Sequence, residues 1–313
     1  MQIRYTRDGI SLFENQDKVI WSSTYEMQNP VLDTNGNYVI VYEENANKVY
    51  IFDLENQLCT YETTMPIKKA CVSEQGTVAL LVEEEDQVHR IQYIDSNGEM
   101  IAEGRSFFSQ KGYPLDMSIS NDGYKLCISY YVIEGAATGT NIVFHSFDEI
   151  GDSNIYNIVT EDYYGETVIP FVHFMEDDSM VAFGDNRIII YDNEMKPAVK
   201  ENIAVENEIA SVFYDKNSFG IVTTKDVKNT ISVYSKSGRL VSEFDTKFDY
   251  TNISMESGKI LLHNSTGWRI YYKNGYLKAE GTYSQEITQM IPVGLNSYMI
   301  VGNDKIEKIS LSD

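Results

Sequence analysis

The stretch Val49–Cys59, VYIFDLENQLC, consists of a β-rich run, a polar turn and a second β-rich run, and it recurs along the chain. Asp, Asn, Ser and Gly hold equivalent turn positions in the copies, because these residues tolerate positive φ or bond back to the backbone in a tight hairpin. The other copies are Ile10–Ile20, Ile91–Ile101, Ile188–Val199, Ile231–Val241 and Ile270–Leu277. Their spacing of roughly 40 residues predicts a protein built from β repeats.

Two further predicted strands precede most of these hairpins, as in Ile67–Val72 and Val78–Val82 on either side of a polar turn. Each repeat is then a four-stranded antiparallel blade, and the chain is an all-β β-propeller. Six complete repeats and three strands at each terminus give about thirty strands, whereas seven blades need 28 and eight need 32. We therefore favour eight blades in a ring closed by strands from both termini, with seven blades as the alternative.

The composition of the 313 residues predicts one domain spanning 1–313, because no low-complexity linker interrupts it. The formal charge is −22, from 47 acidic and 25 basic residues. So acidic a surface repels phosphate backbones and anionic headgroups, which argues against nucleic acid and against direct membrane binding by this domain. We expect a monomer whose acidity either serves solubility or attracts a cationic partner.

The residues that usually carry chemistry form no motif in this sequence. Three cysteines lie in separate predicted strands, four histidines have no near neighbour at ligand spacing, and no nucleotide-binding or hydrolase motif is present. Asp33–Asn37 resembles the start of a calcium loop, but Tyr38 stands where that loop needs Gly, so we interpret the segment as a turn. We predict no catalytic residues, no metal and no cofactor.

Two enzyme classes built on propellers need residue patterns that can be compared with this sequence. Trp21 and Trp268 are the only tryptophans, and they lie in different strands, so the repeated tryptophan pattern of quinone-cofactor propellers is missing. A carbohydrate hydrolase needs only two carboxylates at suitable separation, and a chain with 47 acidic residues always offers some pair, such as Asp116 and Asp185. A hydrolase or lyase acting over the propeller channel therefore stays as the alternative function.

One repeat, spanning residues 112–168, departs from the others through long connections. We expect its second-to-third strand loop, Val132–Asn141, and its exit, Glu161–Pro170, to lie on one face of the propeller, and Phe147–Ser153 to form a longer turn. Long loops on a rigid scaffold are frequent binding sites. The predicted binding face consists of Lys111, Tyr113, Asp162, Tyr163 and Tyr164. The alternative is that these tyrosines only pin the loops by packing together.

Several ordered segments resemble an uncharacterised β-propeller family, a domain of unknown function related to WD40-like and quinoprotein-like propellers. They are Gly9–Ser11, Tyr25–Pro30, Gly112–Asp116, Ser118–Gly123, Phe147–Gly151, Val181–Asp185, Ser211–Tyr214 and Lys305–Ile309. The resemblance implies an extracellular protein of Gram-positive gut bacteria, held by an N-terminal membrane anchor that is missing from this chain. It supplies no catalytic residue. We therefore expect a non-catalytic extracytoplasmic propeller that binds a protein, a peptide or a cell-wall glycan, or else a structural module of a larger complex.

Overall fold

The described residues of the chain form eight antiparallel sheets, six with four strands and two with three. The computed structural model describes residues 1–14, 18–83, 88–107, 112–225, 228–302 and 306–311. The all-β, eight-bladed propeller predicted from the repeat is confirmed, and each terminus supplies one three-stranded sheet. The chain divides into two compact units, residues 1–184 with 189–200, and residues 185–188 with 201–313.

The first four blades lie wholly in the first unit. Their strands are β1 (Gln2–Thr6), β2 (Gly9–Glu14) and β3 (Lys18–Thr24) in blade 1; β4 (Pro30–Asn35), β5 (Tyr38–Glu43), β6 (Lys48–Phe52) and β7 (Gln57–Glu62) in blade 2; β8 (Ile67–Val72), β9 (Val78–Glu83), β10 (Val88–Ile94) and β11 (Met100–Phe107) in blade 3; and β12 (Tyr113–Ile119), β13 (Lys125–Glu134), β14 (Ala137–Ser146) and β15 (Ile158–Gly165) in blade 4.

The remaining strands follow the same order. They are β16 (Phe171–Phe174), β17 (Met180–Phe183), β18 (Arg187–Tyr191) and β19 (Val199–Ala204) in blade 5; β20 (Glu208–Asp215), β21 (Ser218–Lys225), β22 (Lys228–Ser235) and β23 (Leu240–Thr246) in blade 6; β24 (Asn252–Glu256), β25 (Lys259–His263), β26 (Gly267–Tyr272) and β27 (Leu277–Thr282) in blade 7; and β28 (Ile287–Pro292), β29 (Ser297–Gly302) and β30 (Ile306–Ser310) in blade 8.

The second strand of blade 3 is apolar on both faces, because it packs against blade 2 on one face and against blade 4 on the other. Val78–Val82 in β9 and Met180–Phe183 in β17 are buried without a break. Strands buried on both faces give continuous apolar runs in place of alternation. The fourth strand, as in β7 or β27, instead alternates between half-buried and exposed residues. The core therefore consists of clusters that join consecutive blades, such as blades 2 and 3.

Blade 4 corrects the loop predictions for the atypical repeat. Val132–Asn141 is not a long loop, because β13 and β14 extend to ten residues each and a two-residue turn at Gly135 joins them. Gly135 has a φ of 65°, the left-handed conformation that tight hairpin turns require. Likewise, Glu161–Gly165 belongs to strand β15, so the exit from the blade is shorter than predicted.

The segment between β14 and β15 folds into two short helical turns. Asp148 caps helix α1 (Glu149–Asp152) by accepting hydrogen bonds from the backbone N–H groups of Ile150 and Gly151, and a 3₁₀ turn follows at Ile155–Asn157. Capping satisfies backbone donors that a helix start leaves unpaired. The predicted longer turn, Phe147–Ser153, is thus largely helical. In the described part of the chain, no helix has the length and apolarity needed to cross a bilayer.

Candidate functional site

The candidate site is the hairpin end of blade 4, formed by Tyr113, by Tyr131–Asn141 and by Tyr163–Gly165. Cross-strand pairing aligns Tyr113, Tyr131, Thr140 and Tyr164 in one row across the four strands. Side chains that pair directly across strands point to the same face of a sheet. Tyr163 belongs to the next row, so its side chain points to the opposite face. The hairpin end therefore presents tyrosines on both of its faces.

Tyr163 lies against the sheet surface over a glycine and remains 48% exposed. A Cβ at Gly139 would lie 2.8 Å from the Tyr163 hydroxyl oxygen and 2.9 Å from its ring carbon Cε2. Gly165, on the other side of the ring, would place a Cβ 3.6 Å from ring carbon Cε1. The lack of side chains at both glycines lets the ring lie close to the backbone, so Tyr163 is presented as a supported, solvent-facing aromatic surface.

Tyr164 and Asp162 lie on the other face of β15, where they share a hydrogen-bond chain with Tyr191 of blade 5. The hydroxyls of Tyr164 and Tyr191 are 2.8 Å apart, and the Tyr191 hydroxyl donates to Oδ2 of Asp162 at 2.9 Å. Tyr191 is fully buried. Burial, Tyr164 and the Asp162 carboxylate together raise the pKa of the Tyr191 hydroxyl far above its ordinary value, so Tyr191 stays a neutral donor.

The residues of the predicted binding face therefore do not form a single cluster. Asp162 and Tyr164 meet through Tyr191, whereas Tyr113 lies three strands away in the same row, at about 14 Å by strand spacing. Tyr113 is 56% exposed at the start of β12. Lys111 lies outside the described residues. Sequence reasoning did not find Tyr191, because it lies on the following blade, 27 residues from Tyr164 along the chain.

The exposed residues at this end include Ile133 on the hairpin tip and Phe171 at the start of β16, together with Tyr113 and Tyr163. The segments 130–141 and 158–171 contain four Asp or Glu and no Lys or Arg: Glu134, Glu161, Asp162 and Glu166. An acidic, aromatic surface favours cations, because carboxylates attract them and aromatic ring faces bind them.

Burial raises the pKa of three inner-strand carboxyl groups, Asp33, Asp116 and Glu256, and the first two of them bond to the next blade. Burial raises the pKa of Asp33, and it raises the pKa of Asp116 to about 6. Oδ2 of each accepts a backbone N–H from the inner strand of the next blade, at Val72 and Val172 respectively, both at 2.9 Å. Raised carboxyl pKa values can mark acid catalysts, but these two oxygens are used to join strands.

The other titratable side chains considered for chemistry, His173 and the cysteines, have surroundings typical of structural residues. Burial lowers the pKa of His173 to about 4 and raises the pKa of the Cys71 and Cys127 thiols well above their ordinary value. All three cysteines are free thiols. In the calcium-loop look-alike Asp33–Asn37, the first three residues end strand β4, and only Gly36 and Asn37 form the predicted turn to β5. Within the described ranges, no group of three acidic, histidine or cysteine side chains is arranged to hold a metal ion.

The sequence of the chain matches a family model along residues 1–311, which is nearly its whole length. The model describes a family of unknown function, DUF5711. The chain belongs to this family. The resemblance to an uncharacterised propeller family is thereby confirmed at that level, whereas bacterial source and membrane anchoring stay predictions. A search of curated proteins finds no match to the chain.

Solved structures similar to this chain are propellers of several kinds. BamB from Moraxella catarrhalis has a TM-score of 0.58 at 11% identity, with 98% of this chain and 92% of that one covered. Hsv2 from Kluyveromyces lactis has a TM-score of 0.56 at 13% identity, covering 91% and 94%. The WD40 domain of Neurospora crassa Pan2 has a TM-score of 0.54 at 9% identity, covering 89% and 86%. At such low identity the likeness shows the fold alone.

Proposed function

We propose that this member of the DUF5711 family is a non-catalytic binding propeller whose hairpin end holds a basic segment of a partner protein. The observation that carries the proposal is the exposed Tyr163 ring, supported by Gly139, on a hairpin end whose described residues include no Lys or Arg. Tyrosine is among the residues that contribute most to protein interfaces. Lys and Arg side chains bind over aromatic rings and beside carboxylates, so a basic segment fits this surface best.

The geometry supports binding because the hairpin end is rigid. Each strand of the hairpin is paired along its length, and the Asp162–Tyr191–Tyr164 chain joins β15 to the following blade. A preformed surface loses little conformational freedom when it binds. The same proposal places the propeller outside the cell, next to a membrane anchor, as the family resemblance implied; protease treatment of intact cells tests that placement.

The carbohydrate hydrolase alternative needs two carboxylates that reach a sugar and differ in pKa. Asp116, the acidic residue with the clearest shift, accepts the Val172 N–H and packs between inner strands. Asp185, the other carboxylate weighed from the sequence, is exposed. These surroundings favour a binding function over a hydrolytic one.

The test uses a set of Lys- and Arg-rich peptides and the full chain in isothermal titration calorimetry. We expect binding that weakens with salt, and at least a tenfold loss of affinity in Tyr163→Ala, the effect of removing an interface residue worth about 1.4 kcal/mol. Tyr124→Ala is the matched control, since Tyr124 is 52% exposed in the same blade at the opposite turn. Control and wild type should bind equally.

Two results would overturn the proposal. One is salt-insensitive binding to cell-wall glycan together with no binding to any basic peptide. That result would indicate that the protein recognises carbohydrate. The other is equal loss of affinity in Tyr163→Ala and Tyr124→Ala, which would show that the hairpin end is not the binding surface.

A further inference from the structure

The acidity of the chain is unevenly distributed. Residues 1–200 contain 33 Asp or Glu and 13 Lys or Arg, whereas residues 201–313 contain 14 and 12. The charge is therefore 13 − 33 = −20 in the first segment and 12 − 14 = −2 in the second. The total charge predicts that the chain repels anionic surfaces. This repulsion comes from the first segment, since the second is nearly neutral.

In blades 6 to 8, the first-to-second and third-to-fourth turns lie at one end of each sheet, because the strands are antiparallel. Contacts join these turns from blade to blade. Lys273 Nζ lies 2.7 Å from Asp215 Oδ2, which links blades 7 and 6, and Lys278 Nζ donates to the Leu295 carbonyl at 3.3 Å, which links blades 7 and 8. We name this surface the basic turn face; it consists of residues 214–218, 235–241, 256–259, 272–278 and 292–297.

The basic turn face reverses the charge of the chain. It contains six cationic residues and two anionic ones: Lys216, Lys236, Arg239, Lys259, Lys273 and Lys278, against Asp215 and Glu256. Lys259 lies at the start of β25, where burial and the charge of Lys278 lower its pKa. Glu256 opposes this lowering, and Lys259 itself is buried, so the face presents its positive charge through the other five cations.

The tips of the same turns carry apolar and tyrosine side chains. Tyr276 is 73% exposed and Leu295 is 86% exposed. Further exposed members are Tyr214, Leu240, Val241, Tyr272, Leu277 and Val293. A monomeric protein seldom exposes so many large apolar side chains together unless they take part in an interaction.

We propose that the basic turn face docks on the surface of an anionic lipid bilayer. Lysines attract anionic headgroups, tyrosines favour the interface between water and hydrocarbon, and exposed leucines insert below the headgroups. The apolar side chains sit on separate turn tips, as in Tyr276 and Leu295, which fits a soft, flat surface. Nucleic acid would use the cations but would leave these aliphatic tips in water.

Charged and aromatic side chains also lie next to each other at the turn tips, as binding to an anionic bilayer requires. The Lys278 ammonium lies 5.5 Å from the centre of the Tyr272 ring, so a cation and an aromatic ring are held side by side at the turn between β26 and β27. Ser242 Oγ donates to the Lys273 carbonyl, which fixes that turn against blade 6. The turn tips are thus held in position before any surface is met.

The experiment measures co-sedimentation of the full chain with vesicles of neutral phosphatidylcholine, or of phosphatidylcholine containing about 30% anionic phosphatidylglycerol. We expect binding only to the anionic vesicles, with loss of binding in high salt. Lys216→Glu/Arg239→Glu should lower the partition coefficient roughly tenfold or more, and Leu295→Asp should lower it by a similar factor. Circular dichroism confirms that each variant is folded.

Matched controls come from the first unit. Lys48→Glu reverses an exposed lysine of β6, and Ile155→Asp changes a side chain that is 79% exposed. Both should bind anionic vesicles as the wild type does. Equal binding to neutral and anionic vesicles would overturn the proposal, as would wild-type binding by Lys216→Glu/Arg239→Glu, or binding to RNA or an acidic peptide without binding to vesicles.

The two proposals fail separately. Tyr163→Ala should weaken binding of basic peptides and leave vesicle binding unchanged, whereas Leu295→Asp should weaken vesicle binding and leave peptide binding unchanged.

Discussion

Oδ2 of Asp116 accepts a 2.9 Å hydrogen bond from the backbone N–H of Val172, and this bond joins the inner strands of blades 4 and 5. Asp33 makes the same bond to Val72 between blades 2 and 3. To make these bonds, the Asp33 and Asp116 carboxyl groups must be buried, and burial raises the pKa of both. Inner-strand side chains are therefore part of what holds neighbouring blades in register, and their protonation is coupled to folding.

Asp116 predicts a pH dependence of stability with a defined sign. Its pKa is about 6 in the folded chain, raised chiefly by burial, against the ordinary value of 3.8. The folded state therefore binds a proton more readily, so the free energy of unfolding falls as pH rises through this window. The loss from this one group is about 3 kcal/mol between the two pKa values. Asp116→Asn should flatten that slope in urea unfolding between pH 4 and 7, while the Asn oxygen keeps the bond to Val172.

His173 provides the opposing control. Burial lowers its pKa from 6.5 to about 4, so the unfolded state takes up the proton first and stability falls as pH drops through that window. His173→Gln should remove this loss. The two single variants should thus tilt the pH profile in opposite directions; the same tilt in both would contradict the assignment of these groups.

The buried hydroxyl of Tyr191 predicts a local stability cost. Tyr191→Phe removes the donor to Asp162 and the bond to Tyr164, and we expect the free energy of unfolding to fall by about 1–2 kcal/mol. Tyr163→Phe, at an exposed position next to Tyr164, should change it by less than about 0.5 kcal/mol. Thermal unfolding measured by circular dichroism compares the two. Equal midpoints would show that the hydroxyl chain contributes nothing.

The fold was predictable because its signal is local and repeated. The hairpin Val49–Cys59 recurs at a spacing of roughly 40 residues, apart from one longer interval between Ile91 and Ile188, so each copy strengthens the same conclusion. The segment Val132–Asn141 was wrongly predicted as a loop, because its small residues are typical of loops. In the structure, Gly135 forms a tight turn and Gly139 leaves space for the Tyr163 ring. The Asp162–Tyr191 contact was not predictable, since it joins residues 29 apart on two different blades.

The burial of Lys125 also depends on a contact with another blade, which the sequence does not reveal. The residue begins strand β13 and is 2% exposed, and its Nζ donates to the Asn193 carbonyl in blade 5 at 2.6 Å. Its charge also counteracts the rise in pKa that burial causes at Asp178. Lys125→Met should lower the free energy of unfolding by about 2–4 kcal/mol, because the Asn193 carbonyl loses its donor and Asp178 loses a nearby positive charge. Lys196→Met, an exposed lysine of the same unit, is the control and should change little.

Gly139 predicts that one added methyl group changes both stability and binding. In Gly139→Ala, the Cβ would lie 2.7 Å from the Tyr164 carbonyl oxygen and 2.8 Å from the Tyr163 hydroxyl oxygen. The carbonyl belongs to a paired strand and cannot move freely, so we expect a loss of about 1–3 kcal/mol in unfolding free energy and displacement of the Tyr163 ring. Binding of basic peptides should fall as far as in Tyr163→Ala. Gly135→Asn is the matched change, since the Gly135 site is open and Asn tolerates its positive φ. If Gly139→Ala bound peptide normally while Tyr163→Ala did not, the glycine would not be what presents the ring.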